Sequence, residues 1–172
     1  SATHYTIQLE PDWTGSVKAL ELNAPAATWI ACVYNAATYS TAGTGLTITR
    51  RVAKDRMIMG WDVANLTLDG VTTVNGYFWQ YIAGTTTSYV YKAWQGGICC
   101  LTLIDTQTYA VADGNDFTVK VLHVGSSIKL YIDNNLVHDL TDSSYTSGYL
   151  ALNQFAAGGG AAYTGAWTVD DN

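Results

Sequence analysis

From Phe117 to Val169 the order strand, turn, strand can be read almost residue by residue, and that run limits the chain to one class of fold. The segment divides into FTVKVLHV, IKLYID, LVHDLTD, YLALNQFA and AAYTGAWTV, broken at GSS, NN, SSYTSG and GGG. Phe117, Val119 and Val121 share one face, with Thr118 and Lys120 on the other. Ile128, Leu130 and Ile132 repeat this against Lys129, Tyr131 and Asp133. Successive side chains of a strand point to opposite faces, so this alternation marks an antiparallel sheet with one buried face. The breaks supply positive φ or local side-chain hydrogen bonds.

The rest of the chain reads the same way. YTIQL and VKALEL flank a Pro11-Asp12 turn, and TWIACVY precedes a small-residue loop predicted from Asn35 to Gly45. LTITRRV, RMIMGW and NLTL follow, the last ending at Asp69-Gly70. GYFWQYI, the loop AGTTTS, YVYKAW and ICCLTLI complete the set. No window combines helical periodicity with a cap, so helix is minimal. Ten or more short strands at this spacing predict an all-β, two-sheet antiparallel sandwich.

The 172 residues suit a single domain, 1–172, with residues 1–16 a candidate N-terminal arm. Charged residues make up 13%, about half the ordinary share. Thr, Ser, Asn and Gly therefore build much of the surface, a profile suited to an extracellular or virion-surface β-protein. A net charge of −6 argues against nucleic acid as partner, because phosphate contacts need a basic face. No stretch is long and apolar enough for a membrane-spanning helix. Cys32, Cys99 and Cys100 form no disulfide framework, and adjacent Cys99 and Cys100 read as free thiols. Ser1 in place of Met reads as a processed or excised chain.

The string from Val119 to Val169 resembles the closing hairpins of concanavalin A-like (laminin-G-like) jelly rolls. The matching positions are Gly125, Ser126, Ile128, Tyr131, Asp133, Val137, Asp142, Tyr145, Gly148, Trp167 and Val169. Asn134 stands where many members have Gly, and Asn also tolerates the left-handed region. The resemblance covers roughly a third of the chain and implies a jelly-roll sandwich from the non-catalytic branch of the lectin/glucanase superfamily. It also implies recognition or adhesion, with glycan as partner, on an exported or virion protein. Hydrolases of this type usually carry paired Glu in an E-x-D-x-x-E strand. This chain has only Glu10 and Glu21, and neither G-x-S-x-G nor H-E-x-x-H.

Five aromatics are the candidate ligand site. Tyr77, Trp79 and Tyr81 share one face of their strand, and Tyr89 and Tyr91 share a face of the next. If Tyr81 pairs with Tyr89 and Trp79 with Tyr91, all five form one platform on which sugar rings could stack. A one-residue slip would split the platform, and the competing reading has these rings filling the core. Trp29, Trp61 and Trp167 read as core, and Trp13 as exposed. Arg51, within the basic group Arg50, Arg51, Lys54 and Arg56, is a candidate contact for an acidic glycan or simply part of a solvated hairpin tip. Asp113 and Asp116 could hold a structural calcium, as related jelly rolls often do, or form an Asx-rich turn. No cofactor is otherwise required. Asn65-Leu66-Thr67 is a glycosylation pattern.

Two other functions remain open. A purely structural virion or surface-assembly protein would contact other copies of itself or neighbouring virion proteins. A polysaccharide hydrolase or lyase would need Asp residues such as Asp62 or Asp105 to converge in a cleft, with Asp105 the candidate.

Overall fold

The structure, a computed structural model, describes residues 7–11, 18–24, 28–40, 42–52, 56–64, 73–82, 85–95, 102–110, 116–156 and 160–171. Side chains are described within 58–64, 74–82, 85–93, 102–110 and 117–149, and at Ala151. The described residues form strands and turns with no helix. The strands are β1 (Ile7–Pro11), β2 (Lys18–Ala24), β3 (Thr28–Ser40), β4 (Ala42–Val52), β5 (Arg56–Val63), β6 (Thr73–Ile82) and β7 (Thr87–Gln95). They continue as β8 (Thr102–Thr108), β9 (Asp116–Val124), β10 (Ser127–Ile132), β11 (Asn135–Thr141), β12 (Ser147–Ala156) and β13 (Gly160–Asp171).

Two antiparallel sheets result. One runs β1-β2-β13-β4-β9-β10-β11 and the other β3-β12-β5-β6-β7-β8. This is the all-β jelly-roll sandwich expected from the closing hairpins. Ile7–Pro11, inside the segment assigned to an N-terminal arm, pairs with β2 as the edge of the seven-stranded sheet. The loop predicted from Asn35 to Gly45 is corrected: β3 continues to Ser40, where it pairs with Ser147, and β4 begins at Ala42.

The core lies between the sheets. Met59, Trp61, Tyr77, Trp79, Tyr81 and Val90 of the six-stranded sheet meet Phe117, Val119, Val121, Ile128, Leu130 and Ile132 of the other. Every inward position read from β9 and β10 is inward. The turn between β10 and β11 is Asp133-Asn134, at φ 49° and 65°. Two positive φ angles in a two-residue loop match the right-handed strand twist, so Asn134 takes the position where the jelly rolls it resembles often have Gly. Asp133 is anchored as well: its backbone N donates to Thr118 O, and its Oδ1 accepts from Thr118 N at 2.8 Å.

A row of irregularities crosses the six-stranded sheet. Register shifts fall between Gly148 and Leu150, between Tyr149 and Ala151, and between Val74 and Tyr77. Asp62 (φ 52°), Gly76 (φ 153°) and Ala93 (φ 62°) occupy the same region of their strands. Bulges re-aim side chains. Trp61 and Asp62 are consecutive, yet Trp61 joins the inter-sheet core and Asp62 bonds the buried His123 of β9. Val63 then packs on the outer face with Ile58, Val74, Phe78 and Ala151.

Candidate functional site

The β6–β7 register decides the fate of the aromatic platform. Gln80 pairs with Tyr89 and Phe78 with Tyr91, one residue away from the pairing a single platform needs. The hairpin sets this register: Ile82 pairs with Thr87, and Thr85 closes the loop by donating from N and Oγ1 to Ile82 O. The predicted five-ring face is therefore corrected. Tyr77, Trp79 and Tyr81 are 0%, 0% and 1% exposed, and Trp79 and Tyr81 lie against Phe117 of the opposite sheet.

Tyr89 and Tyr91 lie on the outer face, beside buried Phe78 and Gln80. Both are half-buried, with ring centroids 5.8 Å apart and planes inclined at 33°. Across β8, Thr106 stands opposite Tyr89 and Leu103 opposite Tyr91, and Leu103 is 52% exposed. Of the five rings, these two are on the outside of the sandwich.

The remaining predicted residues lie elsewhere. Arg51 is in β4 of the seven-stranded sheet, paired with Asp116 and Tyr163, so it is not on the sheet that bears Tyr89 and Tyr91. Asp116 is the first residue of β9, and Asp113 lies outside the described residues. Trp13, Asn65 and Cys99 and Cys100 also lie outside them. Among the described residues no three His, Cys, Asp or Glu side chains group as a metal site.

Sequence reasoning missed three polar constellations between the sheets. The longest runs from Trp79 to Asp105. Trp79 Nε1 donates to Ser88 Oγ at 2.7 Å, Ser88 Oγ lies 2.7 Å from His138 Nε2, and His138 Nδ1 lies 2.7 Å from Asp105 Oδ2. The indole can only donate and the ionised carboxylate can only accept. In neutral His138 the proton is therefore on Nδ1, and Ser88 donates to Nε2. Burial holds His138 below the ordinary imidazole range, although Asp105 acts in the opposite sense. Burial alone would raise Asp105, but hydrogen bonds from His138 and Gln107 outweigh it and hold the carboxyl low.

These distances are those of a Ser–His–Asp triad, yet the nucleophile cannot meet a substrate. Ser88 and His138 are 0% exposed, and Ser88 Oγ is already engaged by the Trp79 indole. A triad is defined by geometry and access together, and here the chain ties one sheet to the other.

The second constellation is His123, whose Nδ1 meets Asp62 Oδ2 at 2.7 Å. Asp62 and Asp105 thus each engage a different His, which removes the convergent acid pair a hydrolase would need from these two residues.

The third lies around Asp142. Its Oδ1 accepts from Tyr77 Oη at 2.6 Å and from Ser144 N at 2.8 Å, and its Oδ2 accepts from Lys92 Nζ at 2.6 Å. Burial works to raise this carboxyl, and the bonds from Lys92, Tyr77 and Ser144 overcome it and hold it far below the usual carboxylate range. Burial, with Asp142 beside it, pushes the Tyr77 phenol above its ordinary value. A carboxyl depressed in the folded state adds stability above its unfolded value near pH 3.8, which is lost as pH falls. Asp142→Asn is expected to cost about 1–3 kcal/mol at neutral pH and to flatten the acid limb of stability. Urea titrations between about pH 2 and 7 read both effects.

The fold is a two-sheet jelly-roll sandwich of the kind seen in solved lectin- and glucanase-type structures. Solved structures with this fold include the carbohydrate-binding module CBM66 from Bacillus subtilis, with TM-score 0.71 and 15% identity over 98% of this chain and 91% of that one. A Bacillus subtilis protein of unknown function with a galectin-like fold matches with TM-score 0.72 and 12% identity over 96% and 85%. The alginate lyase AlgAT5 of polysaccharide lyase family 7 matches with TM-score 0.55 and 16% identity over 99% and 83%. No family profile and no curated protein sequence matches the chain.

Proposed function

We propose that this chain is a non-catalytic carbohydrate-recognition module that holds a glycan on the outer face of its six-stranded sheet. The observation that carries this reading is the Tyr89–Tyr91 pair, half-buried on that face with exposed Leu103 and Thr106 beside it. Sugar C–H faces stack on such rings while hydroxyls meet polar neighbours. Two rings 5.8 Å apart and inclined at 33° cannot share one flat sugar face, so they suit consecutive residues of an oligosaccharide. CBM66, a carbohydrate-binding module with this fold along 98% of the chain, supports the same reading. The low-charge, Thr- and Gly-rich composition supports a setting on an exported or virion surface.

A multivalent glycan array, run with and without calcium, finds the ligand class even at millimolar single-site affinity. Affinity is then expected to rise from monosaccharide to trisaccharide. Tyr89→Ala and Tyr91→Ala should each weaken binding about two- to tenfold, with the folded state confirmed by thermal melts. A double Tyr89→Ala/Tyr91→Ala chain that binds the array hit at full strength would overturn the assignment of the site.

A further inference from the structure

We infer that the chain Asp105–His138–Ser88–Trp79 is an acid-sensitive latch, which fastens the edges of the two sheets while His138 is neutral and releases them when His138 takes up a proton. β11 is one edge of the seven-stranded sheet and β8 one edge of the six-stranded sheet, and they pack against each other. His138 of β11 bridges them at mid-strand, to Asp105 on β8 and to Ser88 on β7. At the strand ends Asn135 Nδ2 of β11 donates to Tyr109 Oη just past β8, a bond from an amide, which does not titrate.

Each hydrogen-bond role in the chain is compulsory. Asp105 accepts from Nδ1–H, Nε2 accepts from Ser88, and Ser88 accepts from Trp79. Protonation places a second N–H on Nε2, aimed at the Ser88 oxygen. The Ser88 hydroxyl proton then loses its acceptor, and an imidazolium sits at a position with 0% exposure. Both changes favour opening, because a buried donor without a partner and a buried charge are each unfavourable.

Among the described residues, the groups around His138 come from four neighbouring strands. From β8 come Asp105 and the neutral Gln107, which donates to Asp105. From β7 comes Ser88, and from β6 Trp79 with Tyr81, the cross-strand partner of Ser88. From β10 comes Leu130, paired with His138 itself. The charges nearest on its own sheet, Lys129 and Asp139, are 40% and 55% exposed and pair with each other. The other buried His–Asp pair, His123 with Asp62, joins β9 to β5 and not the two edges.

The sign is fixed. A His whose folded pKa lies below its unfolded value leaves stability intact above about pH 6.5 and draws it down as pH falls toward the folded value. Asp105, also held low, adds its own loss only below the ordinary carboxylate value of 3.8. Of the two, His138 is the group that acts between those limits. Ser88 and Asp105 alternate with Tyr89, Tyr91 and Thr106 on β7 and β8, so release also unsettles the face assigned above to sugar. That last consequence rests on the proposed glycan site, whereas the latch does not.

The test is amide hydrogen exchange on the intact chain between about pH 7.5 and 5. Protection in β8 and β11 is expected to fall by up to about tenfold per pH unit, the slope for one proton, while β9 and the centre of β6 keep theirs. His138→Gln, which offers an oxygen to Ser88 and does not titrate, should lose this pH dependence, and His123→Gln should keep it. Equal acid sensitivity in all strands, or an unchanged profile in His138→Gln, overturns the latch. If His138→Gln does not fold, the wild-type imidazole decides by ¹⁵N NMR. A proton on Nδ1 at neutral pH, with uptake at Nε2 below the ordinary range, supports the latch, and a neutral Nε2–H tautomer overturns it. A chain that shows the expected pH-dependent loss of protection but binds no sugar rejects the glycan site alone.

Discussion

Trp79→Ala is expected to lose about 3–5 kcal/mol of folding stability, the range for emptying an aromatic site in a packed core. Trp79 is 0% exposed, lies 6.2 Å from Tyr81 and 6.4 Å from Phe117 between ring centroids, and caps Ser88. The substitution therefore removes cross-sheet packing and the donor at the end of the His138 chain together. Urea denaturation reads it as a lower midpoint at unchanged slope. Trp79→Phe keeps most of the volume and should cost less, about 1–3 kcal/mol, chiefly for the lost indole donor. Glycan affinity per folded molecule should be unchanged in both, since the ring faces the interior. A Trp79→Ala chain of wild-type stability would contradict the buried placement.

Gly148→Ala is the second large effect. A Cβ at Gly148 would meet the Asp62 carbonyl carbon and lie 2.5 Å from Val63 N and 2.6 Å from Val63 O. These are backbone atoms of the neighbouring strand, so no rotamer change relieves the overlap. β12 and β5 would have to part at the point where Asp62 turns its carboxylate toward His123. Overpacking typically costs about 1–3 kcal/mol and more where nothing can move, so we expect a loss above about 3 kcal/mol or failure to fold. Gly125→Ala provides the contrast. Its Cβ would meet nothing within 4 Å, leaving only the strain of φ 60°, about 1–2 kcal/mol. Thermal melts of the two variants side by side test the claim, and a Gly148→Ala chain no weaker than Gly125→Ala would refute it.

The contrast between β9–β11 and β6–β7 shows what the amino-acid order can convey. In β9 and β10 one face is apolar and the other polar, and short turns at Gly125-Ser126 and Asp133-Asn134 leave one register that buries the apolar set. In β6 neither face is cleanly polar: Tyr77, Trp79 and Tyr81 lie on one, Phe78, Gln80 and Ile82 on the other. Alternation then gives no preference for which set faces inward. The register follows from the turn, where Thr85 bonds Ile82 O and Ile82 pairs with Thr87. β3 misled for another reason: its run of Ala, Thr and Asn reads as loop, yet pairing with β12 holds it extended to Ser40. His123 was within reach, since it continues the inward series Phe117, Val119 and Val121. The Ser88–His138–Asp105 chain was not, because its members lie 50 and 33 residues apart and meet only when the two sheets close.

Asp105 has one more consequence, for behaviour at high concentration. β8 ends its sheet among the described residues, and its seven residues are exposed or half-buried, so its outer backbone edge is a place where a strand from another molecule could pair. Lateral growth into a fibre needs a flat edge whose side chains can be enclosed on both sides. Asp105 turns a carboxylate toward the sandwich at the middle of that edge, and the register shift between Val90 and Tyr91 kinks the ladder beside it. A docking strand would have to bury a charge already committed to His138. The residue that fastens the edges of the sandwich is thus expected to disfavour edge-to-edge pairing between copies where they are crowded.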